Sequence, residues 1–255
     1  MNILWLTNLP SPYRVGFFNE LGKLCNLTVC FERKTSDERD NSWNNYKFIN
    51  FKTVFLKGIK VGASTALCPE VTMYLNKSFD KIIVHNFSTP TGILAINYLK
   101  IHSIGYYIES DGGFIKTEHR WKRIFKSILL NGAIKYFSTA EANDDYFISY
   151  NIPQNRIVRY PFTSIYNQDV LSSVLSVEEK RNIKNQLGIT EKTVVLAVGR
   201  IIPIKGYDIL IEASKLLSKD VGIYIVGGKA PQEYVTEIEQ HKLFNIHFVD
   251  FQLKG

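Results

Sequence analysis

The sequence contains few cysteines, and their spacing matches no known metal-binding or redox motif. Cys25, Cys30 and Cys68 are odd in number and fit neither a CxxC pattern nor the spacing of a zinc site. They are therefore expected to be buried free thiols rather than metal ligands or disulfide partners. No apolar run approaches ~20 residues, so no segment is predicted to span a membrane. The opening residues, MNILWLTNLP, lack the basic segment of a secretory leader. These absences predict a cytoplasmic protein.

Several nucleic-acid and cofactor signatures are also missing. There are no internal repeats, and the chain shows no helix-turn-helix, zinc or aromatic RNA-binding motif, so nucleic acid is not predicted as a partner. The first predicted strand is not followed by G-x-G-x-x-G, which disfavours a dinucleotide-dependent oxidoreductase. What the chain does have is a formal net charge of +7 and a pI of about 9.1. This balance favours anionic partners, such as a nucleotide or a lipid surface.

One stretch organises the rest of the chain, VVLAVGRIIPIKGYDILIEA at residues 194–213. Its first five residues form an apolar run typical of a strand buried in a parallel sheet, and Gly199 ends the run. Arg200 and Lys205 follow, then Gly206, and then apolar residues at helical spacing. Because a helix amino terminus and two cations meet at the carboxyl end of a strand, the loop is suited to a diphosphate. The alternative is that its basic residues are merely solvated, as they are in many loops of this kind.

The segment VGRIIPIKGYDILIEA resembles the start of the carboxyl-terminal domain of the family-4, or group 1, retaining glycosyltransferases. The resemblance implies the GT-B fold and a donor diphosphate site formed by Gly199, Arg200, Lys205 and Gly206. It also implies transfer of a sugar from a nucleotide-diphosphate donor with retention at the anomeric carbon. No metal and no cofactor beyond the nucleotide-sugar substrate are expected, and the acceptor is expected to be a polysaccharide or a lipid-linked saccharide.

Candidate catalytic residues lie at predicted strand ends in the first half of the chain. The strand DKIIVH ends at His85, which is either a site residue or a satisfied structural histidine. The next strand runs into Glu109, Ser110 and Asp111, followed by a glycine pair. Glu109 or Asp111 is predicted to accept a hydrogen bond from an acceptor hydroxyl, and the glycines let a ligand approach the backbone.

Three further residues are candidates for the acceptor side. Arg14 stands at the start of the first predicted helix, where it is either a site cation or an ordinary surface residue. Gly16 is the one glycine in a loop that is often glycine-rich in the resembling family. Trp43 lies in a long polar segment and either stacks on a sugar face or caps the edge of the core.

A basic amphipathic helix is predicted between Glu118 and Leu130. Its apolar residues are interleaved with arginine and lysine. The commoner arrangement packs the apolar stripe against the core and leaves the basic face in water. Alternatively the helix lies on anionic lipid, at the inner face of a membrane, and the two interpretations can coexist.

The fold class is predicted to be α/β, with two Rossmann-like domains of the GT-B type. An acceptor-side domain is expected at 1–163 and a partial donor-side domain at 164–255, with Tyr160–Ser176 as the linker candidate. In the resembling family the second domain continues with two glutamates separated by seven residues, one of which contacts the donor ribose, and this sequence has no such segment. The alternative function is therefore a truncated remnant that is inactive or depends on complementation by a second chain.

Overall fold

The structure is a computed structural model that describes residues 1–36, 47–163 and 165–252. The chain divides into two compact units, Met1–Val170 and Leu171–Gly255. Trp43 lies outside the described residues. No helix within the described ranges has the length and apolarity needed to cross a membrane.

Unit 1 is a parallel sheet with crossing helices and a small hairpin. Its strands are β1 (Asn2–Thr7), β2 (Asn26–Phe31), β3 (Lys52–Phe55), β4 (Ile59–Lys60), β5 (Ala66–Leu67), β6 (Lys81–His85), β7 (Tyr107–Ser110), β8 (Tyr136–Ser138) and β9 (Ile157–Arg159). Its helices are α1 (Pro12–Gly22), α2 (Pro90–Ile101), α3 (Arg120–Leu130) and α4 (Glu141–Ser149). Strands β4 and β5 form the antiparallel hairpin.

The sheet of unit 1 has the order β3-β2-β1-β6-β7-β8-β9 with every pair parallel. From β1 the chain moves outward to β2 and β3, then returns to place β6 on the other side of β1. The order therefore reverses between β1 and β6. In open α/β sheets this switch point leaves a crevice at the carboxyl ends of the strands, where ligands bind.

Apolar residues on both faces of this sheet form its core. Leu4 and Leu6 point into one buried cluster, and Ile3 and Trp5 point into the other, because successive side chains of a strand alternate between faces. Cys30 is buried in the first cluster, and burial raises the pKa of its thiol to about 12. All three cysteines are free thiols; two are buried and Cys25 is half-buried. The prediction of free rather than bridged cysteines is confirmed.

Unit 2 has a smaller parallel sheet, in the order β10-β11-β12. Its elements are α5 (Val177–Gln186), β10 (Thr193–Val198), α6 (Tyr207–Ser214), β11 (Val221–Val226), α7 (Gln232–Gln240) and β12 (Ile246–Val249). Helix α5 begins at a capping box: Ser176 Oγ accepts from the Glu179 N–H at 3.2 Å, and the Ser176 N–H donates to Glu179 Oε2 at 2.7 Å. Helices α6 and α7 pack on one sheet face, around Ile223 and Ile225.

The division between the two units, after Val170, falls within the predicted linker Tyr160–Ser176. On the unit 1 side of this division, Phe162 packs edge-on against Phe17 of α1.

One expectation from the sequence needs correction. The apolar stripe of α3 does not face the core: Trp121 is 69% exposed and Ile128 is 64% exposed. Only Leu129 and Leu130 of this helix are buried.

Candidate functional site

Four predicted residues of unit 1 meet at the switch point of its sheet. Arg14 lies in the first turn of α1, directly after β1, and His85 is the last residue of β6. Glu109 is the register partner of His85 on β7, and Asp111 follows the end of that strand. The placement of His85, Glu109 and Asp111 at strand ends is therefore as the sequence predicts.

These four side chains form a nearly buried ion network, which we call the switch-point network. Arg14 Nη2 lies 3.0 Å from Glu109 Oε1 and 3.0 Å from Asp111 Oδ2. His85 Nδ1 contacts Glu109 Oε2, and His85 Nε2 lies 3.9 Å from Asp111 Oδ1. Arg14, His85 and Glu109 are all buried, whereas the side chain of Asp111 is 36% exposed. Asp111 is thus the member of the network that solvent reaches.

The charges of the network hold Glu109 in its ionised form. Burial alone would raise the pKa of Glu109, but the neighbouring His85 and Arg14 outweigh burial and lower it to about 2. Burial would likewise lower the pKa of Arg14, and the charges of Glu109 and Asp111 raise it instead. A carboxylate with so low a pKa is a poor proton acceptor near neutral pH. Glu109 is therefore suited to positioning Arg14 and His85.

Two aromatic residues complete the surroundings of Arg14, and neither is singled out by the sequence. Tyr160 donates its hydroxyl hydrogen to Glu109 Oε1 at 2.7 Å, and burial together with the charge of Glu109 raises the pKa of this tyrosine. The ring of Phe162 lies 4.6 Å from the guanidinium carbon of Arg14. Both residues follow β9 in a stretch without periodicity, so the aromatic Tyr-Pro-Phe sequence is the one signal that marks them.

A second buried carboxylate, Glu32, lies at the end of β2 and is also missed by the sequence analysis. Its Oε1 accepts from the Thr89 hydroxyl at 2.6 Å, and its Oε2 accepts from the Ala66 N–H at 3.1 Å. Burial raises the pKa of Glu32, and these two hydrogen bonds oppose that effect. Its position directly after a buried strand is the same signal that identifies His85.

Gly16 has a packing explanation in the structure. A Cβ atom at this position would lie 2.0 Å from the hydroxyl oxygen of Tyr166. Tyr13, Gly16 and Phe17 of α1 line a cavity of about 180 Å³ with Pro161 and Tyr166. The absence of a side chain at Gly16 thus allows the segment after β9 to lie against α1.

The four side chains of the switch-point network are not arranged to bind a metal ion. The guanidinium of Arg14 lies between the carboxylates of Glu109 and Asp111, at the place a cation would take. Across residues 1–36, 47–163 and 165–252, no group of three or more His, Cys, Asp or Glu side chains is arranged to hold a metal ion.

In unit 2 the predicted strand, basic loop and helix are all present. The strand is not buried on both faces as predicted: Leu196 is 62% exposed and Val198 is 73% exposed, because α6 and α7 pack on one face of the sheet. Strand β10 ends at Val198, a short 3-10 turn spans Pro203–Lys205, and α6 begins at Tyr207. Gly206 has φ 67° and ψ 32°, the left-handed conformation that glycine adopts without strain. Arg200 and Lys205 are exposed. Lys205 makes no salt bridge with a residue in the described ranges.

The buried ring of Tyr207 fixes the start of this loop. Its hydroxyl donates to the carbonyl oxygen of Gly199 at 3.0 Å, and the Gly199 N–H donates to the carbonyl oxygen of Val226 at 2.9 Å. Gly199 is thereby held to both α6 and the end of β11. This anchoring keeps the loop ordered at the carboxyl edge of the sheet, beside the first turn of α6.

Gly227 provides a direct test of this anchoring. It has φ 148°, and a Cβ there would lie 2.1 Å from the Gly199 carbonyl oxygen. Gly227→Ala is expected to destabilise unit 2 by about 3 kcal/mol, because strain and a backbone clash add. Hydrogen exchange of the β10 and β11 amides measures the loss of stability.

Gly188→Ala is the control. Gly188 has φ 68°, and a Cβ there would meet no atom within 4 Å, so this substitution should lower the free energy of unfolding by only about 1 kcal/mol. Equal protection in both variants would contradict the anchoring.

The two parallel sheets with their crossing helices define an α/β protein with two Rossmann-like parts of the GT-B type, the second small. Residues 179–254, which include the loop after β10, match the family described as Glycosyl transferases group 1. This match spans 76 of the 255 residues. Comparison with curated proteins gives no match. The family match lies within unit 2.

Solved structures share this fold at low sequence identity. The crystal structure of Anabaena HepE in complex with UDP and glucose has a TM-score of 0.68 and 16% identity, covering 99% of this chain and 70% of that chain. A glycosyltransferase from Rickettsia africae has a TM-score of 0.64 and 14% identity, covering 98% and 68%. UDP-GlcNAc 2-epimerase from Neisseria meningitidis, bound to UDP-GlcNAc, has a TM-score of 0.54 and 16% identity, covering 100% and 73%.

Proposed function

We propose that this chain is a glycosyltransferase that moves a sugar from a nucleotide-diphosphate donor, with retention and without a metal, to a polysaccharide or lipid-linked saccharide in the cytoplasm. The observation that carries the proposal is the loop after β10. It lies inside the segment that matches Glycosyl transferases group 1, carries the two exposed cations Arg200 and Lys205, and leads into the first turn of α6.

In this proposal the loop stabilises the leaving group. When the bond between the anomeric carbon and the phosphate oxygen breaks, negative charge accumulates on the departing diphosphate. Arg200 and Lys205, with the N–H groups of the first turn of α6, neutralise that charge more strongly in the transition state than in the bound donor. Crystal structures of Anabaena HepE contain UDP and UDP-glucose. UDP is therefore the first nucleotide to test.

The switch-point network is proposed to serve the acceptor. Asp111 is its solvent-accessible carboxylate and is assigned to accept a hydrogen bond from the acceptor hydroxyl. His85 and Glu109 are assigned to hold Asp111 and Arg14 in place. Arg14 is buried beneath the ring of Phe162, so its assigned part is to position Asp111 rather than to contact the acceptor.

An epimerase is the second candidate, because the fold is shared with a UDP-GlcNAc 2-epimerase. The fold does not separate the two activities. The match of residues 179–254 to a transferase family favours the transferase. Incubation with UDP-GlcNAc followed by proton NMR distinguishes them. An epimerase converts the sugar to its epimer at carbon 2 without an acceptor, whereas a transferase leaves carbon 2 unchanged and releases UDP only as the sugar passes to an acceptor hydroxyl or to water.

Calorimetric titration with UDP and with uridine tests the diphosphate site. UDP is expected to bind saturably, and uridine at least about 100-fold more weakly, because it lacks the charged groups that the loop contacts. UDP-glucose and UDP-GlcNAc should compete with UDP for the same site. Equal affinities for UDP and uridine, or no binding of UDP, would contradict the proposal.

A further inference from the structure

The apolar stripe of α3 lies on the outside of unit 1. Trp121, Ile124, Phe125 and Ile128 fall on one face of the helix, because residues three and four positions apart are neighbours on a helix surface. All four are exposed. Phe114 and Ile115, in the segment before the helix, are exposed as well. We call these six residues the α3 apolar face.

Contacts beneath the helix explain why the stripe points outward. Lys126 forms an ion pair with Glu118, whose other oxygen accepts from the Tyr150 hydroxyl at 2.8 Å. Arg123 Nη2 donates to the carbonyl oxygen of Ser149 at 2.5 Å. Basic residues thus tie the helix to unit 1, and the apolar residues are left outside. The orientation is the reverse of the usual surface helix.

The charge around the α3 apolar face indicates what it contacts. Residues 114–130 contain five Lys or Arg residues and one acidic residue, Glu118. That acidic residue is already paired with Lys126, and both Arg120 and Lys122 are exposed. Two copies of so basic a surface repel each other, whereas anionic lipid headgroups attract it. Aromatic and branched aliphatic side chains beside cations suit the boundary between headgroups and acyl chains.

We propose that the α3 apolar face docks on an anionic membrane surface. The helix has 11 residues and is therefore about 16 Å long, too short to span a bilayer, so it lies in the plane of the interface. Its apolar side chains enter the headgroup boundary, and Arg120 and Lys122 contact lipid phosphates. The proposal stands apart from the transferase activity, since it needs no donor and no acceptor.

Flotation with lipid vesicles tests the docking. The full chain is mixed with vesicles of equal phosphatidylcholine and phosphatidylglycerol, or of phosphatidylcholine alone. It is expected to float with the anionic vesicles and at least about tenfold less with the neutral ones. The double variant Ile124→Ser, Ile128→Ser should lose at least about tenfold in binding to the anionic vesicles.

A matched control uses two exposed isoleucines of unit 1 that lie outside this face. Ile59 is in β4 and Ile101 ends α2, and both are exposed. The double variant Ile59→Ser, Ile101→Ser should bind vesicles within about twofold of the wild type, because isolated apolar side chains outside a contiguous patch do not contribute to docking. Equal losses in the two double variants would overturn the proposal.

Light scattering measures the oligomeric state and provides an independent test. A dimeric wild type that becomes monomeric in Ile124→Ser, Ile128→Ser, with no binding to anionic vesicles, would show that a second copy covers the face and would overturn the proposal. A monomeric wild type that floats with anionic vesicles supports it. Failure of UDP binding in the same preparation would contradict the proposed transferase and would leave the docking proposal standing.

Discussion

Replacing Glu109 with glutamine is expected to lower the free energy of unfolding of unit 1 by about 3–5 kcal/mol. Glu109 is buried and pairs with both Arg14 and His85, so the substitution leaves a buried guanidinium without its main counter-charge. For a unit of this size such a loss lowers the melting temperature by roughly 6–20 °C. Trp5 and Trp121 belong to unit 1, and the sequence of unit 2 contains no tryptophan. Tryptophan fluorescence therefore reports its unfolding.

Glu20→Gln is the matched control for this prediction. Glu20 pairs with Lys23 on the exposed side of α1, and both side chains are more than half exposed. Such surface pairs contribute about 0–1 kcal/mol, so this variant should unfold close to the wild type. A Glu109→Gln variant within 1 kcal/mol of the wild type would show that the switch-point network does not stabilise unit 1.

The same pair of proteins tests the pH dependence. Because the folded-state pKa of Glu109 is lowered to about 2 from an ordinary 4.5, its contribution is complete above pH 4.5 and is lost as pH falls toward 2. The stability difference between wild type and Glu109→Gln should therefore be constant above pH 4.5 and shrink below it. A difference that grows on acidification would contradict the lowered pKa.

The second large effect is expected at the loop after β10. The double variant Arg200→Ala, Lys205→Ala should weaken UDP binding at least about 100-fold, equivalent to roughly 3 kcal/mol, because each charged contact to a phosphate contributes about 1.5–3 kcal/mol. The loop backbone should stay folded, since Tyr207 and Gly227 anchor it and both substituted side chains are exposed. Calorimetric titration with UDP measures the loss.

A control of equal charge is available in the same unit. Lys192 directly precedes β10, and Lys219 lies just before β11, so both are at the amino-terminal ends of the strands, opposite the loop. They lie roughly 20 Å from the loop, well beyond the Debye length of about 8 Å in physiological salt. Lys192→Ala, Lys219→Ala should change UDP affinity by less than about twofold. An equal loss of UDP affinity in both double variants would show that net charge, and not a binding site at this loop, causes the loss.

The strands and several candidate residues could be predicted because strand patterns are local. A short buried run ending in a polar residue marks the carboxyl edge of a parallel sheet, and this places His85, Glu109 and Asp111 correctly at strand ends. The same rule applied to Phe31 would have added Glu32. Their catalytic and binding roles, like those of Arg200 and Lys205, stay predictions.

Other features depend on contacts between distant parts of the chain and leave little local signal. Tyr160 and Phe162 join the switch-point network only because the chain after β9 returns across α1. The orientation of α3 is set by partners such as Glu118 and Ser149, which lie outside the helix. A periodic pattern identifies the apolar stripe of a helix but not the side on which the rest of the protein lies.

A crystal structure of this chain with UDP is the most direct measurement of the central claim. The account predicts the diphosphate at the loop after β10, with phosphate oxygens about 2.7–3.0 Å from the Arg200 guanidinium and the Lys205 ammonium, and close to the first-turn N–H groups of α6. UDP bound elsewhere, or bound with both cations out of reach of its phosphates, would contradict it.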